Sequence, residues 1–76
     1  MSDLLYWLLK DPGKVLKFTP CDSLDLESGE YQYLCKTHHP IGIIRYWYLH
    51  KDGDIYVKYH YHNVPEKEYF SSVTLK

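Results

Sequence analysis

The chain has 76 residues and a formal net charge of −1, with nine Lys and Arg against ten Asp and Glu. A length of this kind fits a single domain, residues 1–76, and such a small domain buries only about 60% of its unfolded surface. The near-neutral charge lacks the strong basic field that drives non-specific nucleic-acid binding. Aromatic residues make up 17% of the chain, and we expect so small a domain to be stabilised by aromatic packing, an oligomer, a metal or a disulfide.

The sequence carries no mark of a membrane or secreted protein. No stretch reaches the roughly 18 apolar residues of a membrane span, and we find neither a signal peptide nor a lipidation motif. We therefore expect a cytoplasmic protein, in the host cell cytoplasm if its source is viral. Cys21 and Cys35 lack CxxC spacing and are expected to be small, buried and reduced. A disulfide between them is the alternative.

The first ten residues predict a short helix that begins at Ser2, a plausible N-cap. Its leucines fall on one helical stripe; they are Leu4, Leu5, Leu8 and Leu9. The Asp11-Pro12-Gly13 sequence ends the helix, because Pro disfavours helical backbone in the residue before it. Since so short a helix does not persist alone, the leucine stripe is expected to pack on a sheet.

Five later segments have the composition and alternation of strands. They are residues 15–19, 30–37, 42–50, 54–62 and 69–75. Residues 20–30 are predicted to form a loop or a helical turn, residues 63–68 a polar connection, and the last strand a sheet edge. The short links predict an α+β fold, with the helix packed on a four- to five-stranded antiparallel meander. A small half-open β-barrel with an N-terminal helix is the alternative.

The turn at Lys51-Asp52-Gly53 decides which side chains share a face of the sheet. A two-residue Asp52-Gly53 turn and a three-residue loop with Gly53 in the left-handed bulge position differ by one residue in register. We prefer the three-residue loop, because it gathers the more apolar set on one face. That set is Ile43, Arg45, Trp47, Leu49, Ile55, Val57, Tyr59 and Tyr61.

The opposite face is the main candidate for a functional surface. Tyrosine and histidine side chains with few acids among them resemble the core of a protein–protein interface. Acidic residues in the 20–30 loop suit a basic patch on a partner. The predicted partner-binding residues are Tyr46, Tyr48, His50, Tyr56, Lys58, His60 and His62, with Asp22, Asp25 and Glu27. Cover by the C-terminal segment or by a second copy in a homodimer is the alternative.

The sequence contains no GxSxG, HExxH, Walker or dinucleotide-binding motif, so we predict a protein without enzymatic activity or cofactor. Two other binding functions remain open. Aromatic residues beside Lys58 suit single-stranded nucleic acid or a nucleotide, although Arg occurs once and there is no basic run. His38, His60 and His62 are weak candidates for a metal site.

The favoured hypothesis is a small protein-binding module that occludes a partner's surface with its aromatic sheet face. Its sharpest form is a phage or mobile-element inhibitor of a host or defence complex, an idea that rests on association alone.

Overall fold

The computed structural model describes residues 12–76, and they form one open antiparallel sheet. A 3-10 turn, Pro12–Lys14, precedes the strands β1 (Leu16–Pro20), β2 (Tyr31–His39), β3 (Ile43–His50), β4 (Ile55–Tyr61) and β5 (Val64–Leu75). Their order across the sheet is β1-β5-β4-β3-β2. Strands β2 to β5 therefore form a meander, and β1 adds to the edge that β5 leaves free.

The predicted α+β class is wrong for this part of the chain, because residues 12–76 contain no α-helix. The helix predicted over the first ten residues lies outside the described residues. The barrel alternative is not found either, since β1 and β2 lie at opposite edges of an open sheet.

Strand β5 differs from its prediction in both length and place. It lies between β1 and β4 instead of at an edge, and it includes residues 64–68, which were predicted to be a polar connection. Tyr59 pairs with Tyr69 whereas Tyr61 pairs with Val64, so residues 65–68 bulge opposite His60. Residues 65–68, whose polar composition is typical of a loop, thus form an irregular and exposed part of a strand.

The register of β3 and β4 confirms the three-residue turn. Trp47 pairs with Val57, and the last ladder bond runs from the His50 N–H to the Asp54 carbonyl at 2.8 Å. Gly53 has a φ of 96°, in the left-handed region that glycine adopts without steric cost.

This register divides the sheet into two faces. The core face carries, from all five strands, Leu16, Phe18, Cys35, Thr37, Ile43, Arg45, Trp47, Leu49, Ile55, Val57, Tyr59, Tyr61, Tyr69, Ser71 and Val73. The tyrosine face carries, from β2 to β4, Tyr31, Tyr33, Lys36, His38, Ile44, Tyr46, Tyr48, His50, Tyr56, Lys58 and His60.

The buried cluster lies on the core face and consists of Leu16, Trp47, Val57 and Val73. The Trp47 indole N–H donates to the Thr37 hydroxyl at 2.8 Å, which satisfies the polar tip of a buried ring. Arg45, which the predicted register placed among apolar residues, has its guanidinium carbon 4.8 Å from the Phe18 ring centroid. Tyr61 was predicted to be in the core, but 43% of it is exposed.

A β-bulge interrupts the predicted alternation of β2. Tyr33 pairs with Tyr48 and Cys35 pairs with Trp47, which leaves Leu34 as an extra residue. Lys36 consequently shares a face with Tyr33, although strict alternation would place them on opposite faces.

The two cysteines differ from their prediction. Cys21 and Cys35 are both exposed and both free. The expected buried position is therefore wrong for each, and the alternative disulfide does not form. Cys35 lies on the core face, but on edge strand β2, where little packs over it.

Candidate partner-binding face

The tyrosine face is built from rows of side chains that cross β2, β3 and β4. The three rows are Tyr33–Tyr48–Tyr56, Lys36–Tyr46–Lys58 and His38–Ile44–His60. Neighbours within such a row have Cβ atoms about 5 Å apart, so their rings and ammonium groups are in mutual reach. The register alone therefore brings the tyrosines and the lysines of this face together.

One end of the face is a packed group, here called the turn cluster, of Tyr31, His50 and Tyr56. The Tyr31 ring centroid lies 4.7 Å from that of His50 and 5.7 Å from that of Tyr56. His50 Nε2 is 3.3 Å from Glu30 Oε1, and its Nδ1 accepts from the Asp52 N–H at 3.2 Å. A neutral His50 with its proton on Nε2 satisfies both bonds, so the ring fastens the β3–β4 turn to the start of β2.

Glu30 is the charged member beside the turn cluster. The Lys51 ammonium lies 3.4 Å from Glu30 Oε1, and the Lys51 N–H donates to the Glu30 carbonyl at 2.9 Å. The hydrogen bond and the charge of Lys51, and then His50, hold the pKa of Glu30 below its ordinary value. These contacts favour the ionised carboxylate.

Residues 21–30, here called the crossing connection, must span the sheet because β1 and β2 lie at opposite edges. The connection starts beside β5, where the Cys21 N–H donates to the Phe70 carbonyl at 3.0 Å. The pKa of Tyr31 is raised, mainly by burial, then by Tyr56 and Glu30, and further by Cys21 and Asp25. The connection ends beside the β3–β4 turn, where the Lys51 N–H donates to the Glu30 carbonyl.

The part of the face away from the turn cluster is more open. Tyr33 is 52% exposed, and its ring meets that of Tyr48 edge to face at 5.6 Å. In the next row the ammonium groups of Lys36 and Lys58 lie 5.8 and 5.1 Å from the Tyr46 ring centroid. We call these the Tyr33–Tyr48 pair and the Lys36–Tyr46–Lys58 row.

The structure brings most of the predicted site residues together. One face holds Tyr46, Tyr48, His50, Tyr56, Lys58 and His60. His62 is exposed just beyond β4, with its N–H donating to the Gly42 carbonyl at 2.7 Å. The acids of the crossing connection are exposed; they are Asp22, Asp25 and Glu27. His60 is only 9% exposed, which leaves it little area to offer a partner.

The prediction omitted Tyr31, Tyr33 and Lys36, which the structure places on the same face. Tyr31 and Tyr33 were visible as an alternating pair, and the three-strand meander would have placed them beside β3. Lys36 gave no such signal, because only the bulge at Leu34 moves it to this face, and neither Gly nor Pro marks that bulge in the sequence.

The metal candidates do not converge. His38 and His60 lie on either side of Ile44, about two strand spacings or 10 Å apart in the backbone. Within residues 12–76, no group of three His, Cys, Asp or Glu side chains is arranged to hold a metal ion. The pKa of the Cys21 thiol is raised by partial burial and by Asp22, the opposite of what activates a nucleophilic cysteine.

The core face contains a second candidate, an apolar groove of about 400 Å³ lined by residues of all five strands, including Leu16, Leu34, Trp47 and Val73. Small-molecule sites pair an apolar wall with a few polar groups that orient the ligand. The Thr37 hydroxyl in this groove already accepts from Trp47. The groove thus offers little to orient a ligand.

No helix among residues 12–76 is long and apolar enough to cross a membrane. No family model matches the chain, and neither a curated protein nor a solved structure is similar to it.

Proposed function

We propose that the chain is a non-enzymatic protein-binding module whose contact surface is the open part of the tyrosine face. One observation carries the proposal: Tyr33, which is exposed, and its half-buried neighbour Tyr48 lie next to the Lys36–Tyr46–Lys58 row on one face of the sheet. Tyr presents a large, stiff surface with a polar tip, and loses little side-chain entropy when a partner covers it.

Three features favour a protein over a nucleic-acid strand. Bases stack flat on exposed rings, but Tyr33 and Tyr48 meet edge to face at an interplanar angle of 63°. The Tyr46 ring already has Lys36 and Lys58 over it. The crossing connection adds exposed acids that repel a polyanion; they are Asp22, Asp25 and Glu27.

The proposed mode of action is occlusion of a surface that the partner needs for its own work. An inhibitor of a host or defence complex, acting in the cytoplasm, is the specific form that this proposal takes. The turn cluster supports the surface, because it fixes the β3–β4 hairpin that carries Tyr46 and Tyr48.

The test compares three versions of the full chain as bait in extracts of its source cells: the unchanged chain, Tyr33→Ala/Tyr48→Ala and Tyr61→Ala. Tyr61 is a matched control because it is an exposed tyrosine on the other face, 43% exposed against 52% for Tyr33. We expect a protein that the unchanged chain and Tyr61→Ala retain equally and that the double variant loses. Truncating two contact tyrosines costs about 2 kcal/mol or more, roughly a thirtyfold loss of affinity.

Circular dichroism of the double variant checks that the sheet is intact. Equal retention by the folded double variant would show that the tyrosine face is not the contact surface. Retention of single-stranded nucleic acid in place of a protein, lost in 0.5 M salt, would favour the nucleic-acid function instead.

A further inference from the structure

We infer that the Lys36–Tyr46–Lys58 row is a carboxylate-binding subsite that receives an Asp or Glu side chain of the protein partner. The inference rests on the proposed function and specifies the chemistry of the partner's contacting segment. Two observations support it. The ammonium groups of Lys36 and Lys58 both lie over the Tyr46 ring, and of the two only Lys58 has a carboxylate partner among the described residues.

The row is formed by backbone register and not by chance approach of flexible side chains. Lys36 and Lys58 are the cross-strand partners of Tyr46 on its two sides. Their ammonium groups lie 5.8 and 5.1 Å from the centroid of its ring, within the distance at which a ring attracts a cation. Tyr46 therefore lies between two positive charges, one from each neighbouring strand, and both attract an anion that approaches this row.

The negative charges near the row do not neutralise it. Glu68 Oε2 is 3.4 Å from the Lys58 ammonium, but within residues 12–76 Lys36 forms no ion pair with a carboxylate. Lys36 is exposed and Lys58 is half-buried, so a carboxylate can approach Lys36 from solvent while Lys58 is held in place. The row thus retains one unmatched positive charge in a chain whose net charge is −1.

The surroundings fit one carboxylate better than a chain of phosphates. Glu68 borders the row on the β5 side, and Glu30 lies beside the turn cluster at the far end of the same face. A partner with an isolated Asp or Glu next to apolar groups satisfies both the lysines and the neighbouring Tyr33–Tyr48 pair. A polyanion would also have to lie against those acids.

The probe for this inference is an acetylated, amidated pentapeptide with a single Glu between two Leu residues and a Gly at each end, titrated into the ¹⁵N-labelled full chain and followed by NMR. Hexalysine, inorganic phosphate and a hexathymidylate are titrated in parallel. The test variant is Lys36→Gln/Lys58→Gln, and the matched control is Lys17→Gln/Lys67→Gln. The control removes the same charge from two exposed lysines outside the row.

We expect the single-Glu peptide to shift the amide signals of Lys36, Tyr46 and Lys58. The apparent Kd should rise about three- to tenfold in the test variant and stay unchanged in the control, since exposed ion pairs contribute modestly. Absence of these shifts, or an equal Kd in both variants, would overturn the inference. Tighter binding of hexathymidylate at the same residues would assign the row to nucleic acid instead.

Failure here is separable from failure of the proposed function. If binding of the partner depends on the Tyr33–Tyr48 pair but the single-Glu peptide does not bind at the lysines, the contact surface stands and only its carboxylate chemistry is wrong. If the tyrosine variant retains the partner in full, the contact surface itself is wrong.

Discussion

At the scale of single residues, the polar tips of aromatic side chains decide how firmly this small sheet is fixed. Trp47 is buried with its indole N–H bonded to Thr37. His50 is nearly covered, and its two ring nitrogens contact Glu30 and Asp52. The sequence showed these residues as candidates for core or surface, but it could not show the partners, because each partner is supplied by another strand or turn.

Replacing Thr37 by Val should destabilise the fold by about 1–2 kcal/mol, because the buried indole N–H of Trp47 loses its acceptor while the shape is kept. Urea unfolding followed by circular dichroism measures the change. Thr19→Val, at an exposed position of β1, is the control and should differ little from the unchanged chain. Equal stabilities for the two variants would show that the Trp47–Thr37 bond contributes nothing net.

Glu30 should contribute to the acid sensitivity of the fold. Its pKa in the folded chain lies below the ordinary value of 4.5, so the folded state favours the ionised form. The stabilisation is fully present above pH 4.5 and is lost as the pH falls through the lower folded value. Glu30→Gln should therefore lose less stability than the unchanged chain on acidification below pH 4.5.

Urea unfolding at a series of pH values measures the acid dependence of each variant. Glu66→Gln, which removes an exposed carboxylate from the β5 bulge, is the control. An acid dependence for Glu30→Gln as steep as that of the control would show that the contacts of Glu30 with Lys51 and His50 do not couple to folding.

At the scale of elements, the sequence was most informative where short-range patterns determine the outcome. The Lys51-Asp52-Gly53 turn fixed the register of β3 on β4, and with it the two faces. The bulge at Leu34 was invisible, because an extra residue in an otherwise alternating strand carries no mark when it is neither Gly nor Pro. Because the bulge was not predicted, Lys36 was not predicted to lie on the tyrosine face.

Deleting Leu34 should leave the side-chain pattern of β2 intact, since Tyr33 and Cys35 already face consecutive residues of β3. It should also convert β2 into a regular edge strand. A bulge and an exposed lysine are two of the devices that keep edge strands from pairing with other chains. The shortened chain should therefore fold and self-associate more than the unchanged chain.

Sedimentation velocity over a range of concentrations measures that self-association. Deletion of Gln32 is the control, because it moves Tyr31 to the other face and should lower stability instead. A Leu34 deletion that folds and stays monomeric at every concentration would show that the bulge does not protect the edge.

At the scale of the whole molecule, the predicted fold class was wrong although all five predicted strand segments do contain strands. Strand identity follows from local alternation, but strand order depends on which distant segments meet. The sequence placed the last strand at an edge, whereas β1 covers that edge in the structure. Ten residues with loop composition therefore had to carry the chain across the whole sheet, which no local pattern indicates.

The pairing of β1 with β5 also sets an order of events in synthesis. Strand β1 is synthesised before the other four described strands, yet within the described chain its one neighbour in the sheet is β5, the last of the five in sequence. The C-terminal Lys76 N–H completes this seam by donating to the Val15 carbonyl at 3.0 Å. Hairpins within the meander can form as they emerge, but β1 must wait until β5 has been made, because this closure joins residues 16–20 to residues 71–75.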